Sequence, residues 1–173
     1  MATRRSSRLD LTRSPPTAVG LVWTAERRIW QSTVMDEAAH FFVRNDQEKR
    51  TIHVLMKGTF DAEVMRAFSD EYLRATDEYR GKAHLVFADM RGMKPASPEA
   101  AAVLGSAIGQ ARKRGVRCCA HLSDSTIQRL QARRVARENS PGDDVTVDVV
   151  SEAEATKVLA EKRELLVRLP PAK

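Results

Sequence analysis

The chain has 173 residues, of which 42% are hydrophobic and 30% are charged. This balance excludes a wholly disordered or fibrous protein and suffices for one domain with a proper core. No apolar run reaches the roughly 18 residues that a membrane-spanning helix requires, and the basic N-terminus lacks the apolar stretch of a secretory signal. We therefore expect a cytoplasmic protein without a membrane span.

The positive charge is unevenly distributed. The net charge of +6 and the pI near 9.7 favour nucleic acid, an anionic membrane or an acidic protein as partner. Residues 1–16 hold four arginines and one aspartate, a net of +3, which is half of the excess. Residues 1–18 are also rich in Ser, Thr and Pro, so we predict a disordered basic tail there.

Residues 19–37 are predicted to be an N-terminal extension that packs on the core. Trp23 and Trp30 favour burial, since large aromatic side chains gain most when they leave water. The stretch fits either a short extra hairpin or one amphipathic helix, and extended structure is favoured around "RRIWQSTV". The main domain is predicted over residues 38–169, followed by a tail over 170–173.

The main domain opens with a predicted hairpin and helix. The runs "AHFFVRND" and "TIHVLMKG" are rich in β-branched and aromatic residues and flank a polar turn, which indicates two antiparallel strands. Asp61 is the predicted cap of the first helix. Apolar residues follow at helical spacing and define one buried face. These residues are Val64, Phe68, Tyr72, Ala75 and Tyr79.

Strands and helices then alternate. "AHLVFAD", "VRCCAHL" and "VTVDVV" are predicted strands. A helix is expected from Ser97 to Arg114, ended by Gly115. Ser125 with Gln128, and Ser151 with Glu154, stand at the spacing of capping boxes that begin two further helices. Cys118 and Cys119 are adjacent in one strand, so we expect small apolar core residues there rather than a disulfide.

The order β-β-α-β-α-β-α-β-α defines the fold class. Strands that alternate with helices favour a mainly parallel sheet joined by right-handed crossovers. The opening hairpin makes one edge of the sheet antiparallel. We predict a single-domain α/β protein with a mixed, mainly parallel sheet.

The elements and their lengths, over roughly residues 38–162, resemble the STAS family of sulfate transporters and anti-sigma-factor antagonists. The resemblance rests on the hairpin, on "MKGTFDA" leading into the first helix, and on "LVFADMRGM" before a helix start. "ARKRGVRCCAHLSDSTIQRL" and "SEAEATKVLAE" complete it. It implies a STAS-like fold and a non-enzymatic, bacterial regulatory module that acts in signalling. Such a module binds a regulatory protein, with a kinase-type regulator as one candidate, through the loop after the acid-ended strand. That loop carries Asp89, Arg91, Gly92 and Ser97.

The same loop departs from the phosphorylated antagonists of the family. In their pattern, Pro98 occupies the acceptor position and Ser97 falls one residue early. The chain therefore resembles the divergent branch that lacks the standard phosphosite. Ser97, Pro98 and Glu99 suit a helix start, with Ser97 as cap. Ser97 stays a candidate phosphosite, since a helix N-terminus tolerates negative charge, although Glu99 would oppose it.

Two further features are candidate binding residues. Asp89 ends a strand at the edge where α/β sheets place ligands, and we expect it to accept hydrogen bonds from the loop through Arg91 and Gly92. An aspartyl-phosphate receiver would need companion acids, which the preceding strand lacks. Arginines recur every four residues along one helix and favour either a solvated face or a dock for an acidic partner. They are Arg129, Arg133 and Arg137.

Other functions have less support. No paired acid–base or nucleophile set appears, so we expect no enzyme, no cofactor and no metal; the histidines His40, His53, His84 and His121 lack metal-site spacing. Nucleic acid is disfavoured because no aromatic residues accompany the arginines. The alternative function is a carrier of a small apolar ligand or lipid, of the STAS or CRAL-TRIO type. Its pocket would be lined by the methionines at 56, 65, 90 and 93 with Phe60 and Phe68. A homodimer is a further candidate assembly.

Overall fold

The computed structural model describes residues 38–140 and 145–168, the side chains of residues 167 and 168 excepted. The predictions for residues 1–37 and for the C-terminal tail lie outside the described residues. Nine elements follow in the predicted order. The strands are β1 (His40–Asp46), β2 (Thr51–Lys57), β3 (His84–Asp89), β4 (Val116–Leu122) and β5 (Thr146–Val149). The helices are α1 (Ala62–Asp77), α2 (Pro98–Lys113), α3 (Thr126–Asn139) and α4 (Glu152–Arg168).

The five strands form one sheet in the order β1-β2-β3-β4-β5. β1 pairs antiparallel with β2, in a register that sets His40 against Lys57 and Asp46 against Thr51. The pairs β2–β3, β3–β4 and β4–β5 are parallel. The predicted fold class, a mainly parallel sheet with an antiparallel N-terminal hairpin, is confirmed.

Side chains leave the sheet alternately on its two faces, and each face has its own apolar core. The first core packs α1, α2 and α3 against one face and is built around residues such as Ile52, Met56, Phe60 and Met65. The second packs α4 on the other face, with Leu85, Cys118 and Leu159 among its members. At about 1.5–3 kcal/mol for each fully buried large apolar side chain, both cores are substantial. The period-two alternation of the strands thus assigns each strand side chain to one of the two cores.

Helix starts follow the predicted caps, but neither predicted capping box is complete. At α4, Ser151 accepts from the amide of Glu154, whereas the Glu154 side chain accepts from the amide of Val150 and not from that of Ser151. Asp61 accepts a hydrogen bond from the backbone amide of Val64 at 2.8 Å, and Ser125 accepts one from Gln128 at 3.3 Å. In a full capping box the Gln128 side chain would bond back to residue 125. It is instead buried and donates to the sulfur of Met90 at 3.1 Å. The capping box of α3 is therefore only half formed, because tertiary packing takes its second member.

The predicted end of α2 is also observed. Gly115 follows the last turn with φ +114°, a conformation that only glycine adopts without strain. A Cβ at this position would lie 2.7 Å from the carbonyl oxygen of Lys82. Gly115 is thus required both for the backbone conformation and for the close approach of two chain segments that lead into β3 and β4.

No described helix is long and apolar enough to cross a membrane. Within residues 38–140 and 145–168, no group of three His, Cys, Asp or Glu side chains could hold a metal ion. Cys118 and Cys119 are both free thiols.

Candidate functional site

The candidate site begins at the last residue of β3. Asp89 is buried and accepts hydrogen bonds from the backbone amide of Arg91 at 3.1 Å and from its Nε at 2.9 Å. The Arg91 Nη2 also lies 2.5 Å from the Asp89 carboxylate and 2.6 Å from Glu152 Oε1 at the start of α4. Arg91 therefore joins the loop after β3 to the helix on the opposite face of the sheet.

The ionised form of Asp89 is the stable one in the folded protein. Burial by itself would raise the pKa of this carboxyl, but the hydrogen bonds from the Arg91 side chain and amide outweigh it and hold the pKa below its usual range. The same two carboxylates, Asp89 and Glu152, raise the pKa of Arg91. The arrangement is a structural ion-pair network. Both Asp89 oxygens are occupied by Arg91.

Gly92 is bound by Asp124, a residue that was not predicted from the sequence to belong to the site. Its backbone amide donates to both carboxylate oxygens of Asp124, each at 3.1 Å, and not to Asp89 as predicted. Both Asp89 oxygens already accept hydrogen bonds from Arg91, and Gly92 itself adopts a left-handed conformation with φ +78°. Gly92 also accepts a hydrogen bond from the amide of Gly58 at 3.0 Å. The β3–α2 loop, residues 90–97, is thereby fixed between β2 and the start of α3.

Ser97 caps α2. Its Oγ accepts a hydrogen bond from the amide of Ala100 at 3.2 Å, and Pro98 takes the first helical position. The side chain of Ser97 is exposed. Capping explains its chemistry at this position, and the exposure leaves it accessible to a modifying enzyme.

The three arginines of α3 have different environments. Arg133 Nε lies 3.2 Å from Asp148 Oδ2 on β5, so this side chain is engaged in an ion pair. Arg129 and Arg137 form no ion pair with any residue of the described part of the chain. Arg134, beside them, lies 3.6 Å from Glu138 and is 67% exposed. The α3 surface therefore keeps positive charge that no carboxylate among the described residues neutralises.

Helix α3 also carries two exposed apolar side chains that were not predicted as site residues from the sequence. Ile127 is 69% exposed and Leu130 is 59% exposed. Together with Pro95, Gln131 and Arg134 they line a shallow groove of about 320 Å³. The signal was present in the sequence, because residues 127, 130 and 134 share a helix face that is separate from the buried Val135 and Ala136. We call Ile127, Leu130 and Pro95 the α3 apolar patch.

The loop and the α3 apolar patch form one continuous surface. The Gln131 side chain accepts from the amide of Ala96 at 2.9 Å and donates to its carbonyl at 2.8 Å. The structure therefore brings the predicted residues of the β3–α2 loop next to the first half of α3. Arg137 lies six residues beyond Gln131, about 9 Å further along the axis at 1.5 Å per residue.

A cavity of about 80 Å³ lies beneath this surface, between the sheet and α1, α2 and α3. Of the six side chains predicted to line a ligand pocket, only Met90 and Phe68 border it. Met56, Met65, Met93 and Phe60 are buried in the first core instead. The volume is well below the roughly 300 Å³ at which ordinary ligand pockets begin. This cavity does not support the carriage of a lipid chain.

The fold is similar to that of a known regulatory protein. The structure of an anti-sigma factor antagonist from Mycobacterium paratuberculosis superposes on this chain with a TM-score of 0.50 and 8% sequence identity. The match covers 73% of this chain and 97% of the other. At this identity the likeness establishes the shared α/β architecture. No protein-family model and no curated protein sequence matches the chain.

Proposed function

We propose that the chain is a non-enzymatic regulatory module that acts by reversible binding of a protein partner. The binding surface would consist of the β3–α2 loop with Asp89, Arg91, Gly92 and Ser97, and of the exposed side of α3. The fold shared with an anti-sigma factor antagonist supports the class of function. The observation that carries the proposal is the exposed α3 apolar patch directly beside that loop.

An apolar patch beside a fixed loop has the composition of a protein-binding surface. Ile127 and Leu130 are more than half exposed, although burying each such side chain would gain about 1.5–3 kcal/mol. A partner that covers the groove gains this free energy without any prior rearrangement, because Gln131 already holds the loop in place. Isolated exposed apolar residues are ordinary, but a contiguous patch rimmed by charge favours an interaction site.

The charge around the patch defines the chemistry of the partner. Arg134 lines the groove beside the apolar pair, and Arg129 and Arg137 on the same helix have no carboxylate partner among the described residues. Like charges on one surface speed association with a segment of opposite charge and disfavour basic partners. The partner segment should therefore be acidic with apolar anchors. A kinase-type regulator is one candidate of this kind.

Site-specific photo-crosslinking tests the proposal. A benzoylphenylalanine residue placed at Leu130 should capture one protein in a lysate of the source organism, and the same residue placed at Leu165 should not. Leu165 is the matched control, because it is 50% exposed and lies on α4, across the sheet. Mass spectrometry identifies the captured protein.

The purified captured protein then allows quantitative binding measurements. Leu130→Ser should weaken its affinity by about tenfold or more, whereas Leu165→Ser should leave it unchanged. Arg137→Ala should slow association and reduce its salt dependence, with Arg66→Ala on α1 as control. Equal losses for Leu130→Ser and Leu165→Ser would contradict the proposed surface. So would a protein captured at both positions.

Control by phosphorylation is a separate part of the proposal. Phosphate on Ser97 would remove the free hydroxyl that caps α2 and add charge at the edge of the surface. Mass spectrometry of the chain isolated from its source tests this directly. A phosphate on Ser97 with a change in partner affinity supports control by phosphorylation, and an unmodified Ser97 under all growth conditions opposes it.

A further inference from the structure

The cavity between the sheet and the three helices contains polar atoms without hydrogen-bond partners. His121 and Ser140 both line it, and they are only 3% and 4% exposed. The Nε2 of His121 and the Oγ of Ser140 have no partner among the described residues. Buried polar groups are almost always hydrogen-bonded, so two such atoms on one cavity wall require an explanation.

The orientation of His121 is fixed by its other ring nitrogen. Nδ1 lies 3.0 Å from Asp148 Oδ1, and the second oxygen of Asp148 lies 3.2 Å from Arg133 Nε in an ion pair. Because a carboxylate only accepts hydrogen bonds, Nδ1 carries the proton of this contact. Nε2 is then an acceptor in the neutral ring and a donor in the charged ring. A hydroxyl group can serve as the partner in either case.

The rest of the cavity wall is mainly apolar, although Tyr72, Arg112 and Thr146 also line it. Arg112 and Thr146 are each engaged in an interaction of their own. Val54, Val86, Ala88, Leu104 and Ile108 contribute to the apolar part of the wall. An apolar wall favours a hydrocarbon body over bulk water, whereas the two polar atoms favour one hydrogen-bonding group on that body. A cavity of about 150 Å³ can hold benzene. At about 80 Å³, this cavity suits a molecule or molecular fragment of roughly half that size.

We propose that this cavity is a binding site for a small neutral molecule with an apolar body and one hydroxyl group. The hydroxyl bonds His121 Nε2 and Ser140 Oγ, and the body lies against the aliphatic wall. This site is distinct from the partner surface above it, and its existence does not depend on the proposed function. Met90, which follows Asp89, borders the cavity and forms part of its wall beneath the β3–α2 loop.

Nuclear magnetic resonance with three probes of similar size tests the proposal on the full chain. Propan-2-ol supplies the hydroxyl, acetate supplies an anion of similar shape, and xenon supplies an apolar occupant. Propan-2-ol should shift the ¹⁵N resonances of the His121 ring saturably, with a dissociation constant on the order of millimolar for so few atoms. Acetate should bind at least tenfold more weakly.

Two variants and one control separate binding from packing. Ser140→Ala should weaken the binding of propan-2-ol about five- to tenfold, the loss expected for one hydrogen bond, and leave the binding of xenon unchanged. Ala132→Leu, which fills the cavity from α3, should abolish both signals. Ser106→Ala, at an exposed position on α2 outside the cavity, should change neither.

Several results would overturn the proposal. Entry of xenon without propan-2-ol would mean a packing void, and entry of neither probe would mean that no site exists. Tighter binding of acetate than of propan-2-ol would replace the neutral ligand with an anionic one. An equal loss of xenon and propan-2-ol in Ser140→Ala would show that the substitution disturbs packing rather than a ligand contact. Because Ser140→Ala removes a single atom, this readout does not rely on Ala132→Leu folding.

Discussion

The side chain of Gln131 forms two hydrogen bonds with the backbone of Ala96, at 2.9 Å to its amide and 2.8 Å to its carbonyl. This pair fastens the β3–α2 loop to α3 in the manner of a strand pairing. Gln131→Ala should lower the free energy of unfolding by about 1–2 kcal/mol, because each bond contributes about 0.5–1.5 kcal/mol. Gln47→Ala is the control, since Gln47 makes one exposed bond to Glu78 and its loss should cost below about 0.5 kcal/mol. Urea denaturation measures both, and similar losses would contradict the assignment.

Replacing Gln128 with an apolar residue should increase the stability of the folded protein. The Gln128 Nε2 donates to two thioether sulfurs, that of Met90 at 3.1 Å and that of Met93 at 4.0 Å, which are weak acceptors, and its buried Oε1 has no partner among the described residues. Gln128→Met keeps the length of the side chain and removes an unsatisfied carbonyl that costs about 1–3 kcal/mol. We expect the midpoint of urea denaturation to rise. Gln128→Glu should lower it, because the substitution buries a charge at the same position. A lower midpoint for Gln128→Met would mean that Oε1 has a partner in solution.

Gly115 should tolerate no side chain, whereas Gly81 should tolerate one at moderate cost. Both residues have positive φ, +114° and +76° respectively. A Cβ on Gly115 would approach the Lys82 carbonyl oxygen to 2.7 Å, but a Cβ on Gly81 meets nothing within 4 Å. We expect Gly81→Ala to cost about 1 kcal/mol for backbone strain alone. Gly115→Ala should cost about 2–4 kcal/mol, because it adds a clash with backbone. Thermal unfolding measures the loss of stability in each variant. Equal losses for Gly81→Ala and Gly115→Ala would show that the backbone around residue 115 relaxes to accommodate the Cβ.

His84 should make the protein less stable in mild acid. The ring is fully buried, stacks on Tyr79 with centroids 4.4 Å apart, and places Nδ1 2.8 Å from the Lys82 carbonyl oxygen. Burial lowers the pKa of His84, although the Lys82 bond partly opposes this. The unfolded chain binds a proton near pH 6.5 and the folded one does not. Stability is therefore complete above about pH 6.5 and falls as the pH decreases toward the folded pKa.

Substitution of His84 isolates its contribution to this pH dependence. His53 also has a pKa that burial lowers, so the comparison is made in chains that carry His53→Gln. The free energy of unfolding is measured at pH 7.5 and pH 5.5 with and without His84→Phe. The difference between the two pH values should shrink when His84 is replaced. An unchanged difference would assign the acid sensitivity to other groups.

Asp89 should contribute to stability at neutral pH and lose that contribution in stronger acid. Its pKa is lowered because the Arg91 hydrogen bonds outweigh the effect of burial. Its contribution is complete above the unfolded value of about 3.9 and is lost as the pH falls through the lower folded pKa. Asp89→Asn should cost about 1–2 kcal/mol at pH 7, since solvent screens an Arg91 side chain that is 43% exposed. The cost should shrink toward pH 2, and a pH-independent cost would contradict this role.

Much of the architecture was predictable from the sequence, because the strands and helices that local sequence patterns predict are the ones that the sheet and its covering helices contain. The apolar runs around β3 and β4 predicted buried strands, and Asp61 and Ser97 predicted helix starts within one residue of those observed. Alternation of strands and helices permits few topologies, since crossovers between parallel strands are right-handed. These features depend on neighbours in the chain, so a single sequence contains them.

The surface and the cavity depended on the tertiary structure. Gly92 bonds Asp124, Gln131 bonds Ala96, and His121 meets Asp148, and each pair joins elements that are 27 or more residues apart. Sequence spacing reports which side chains share a helix or strand face, but not which face meets which other element. The exposure of Ile127 and Leu130 also depends on how α3 packs against the rest of the fold. Packing covers only one side of α3 and leaves the other in solvent.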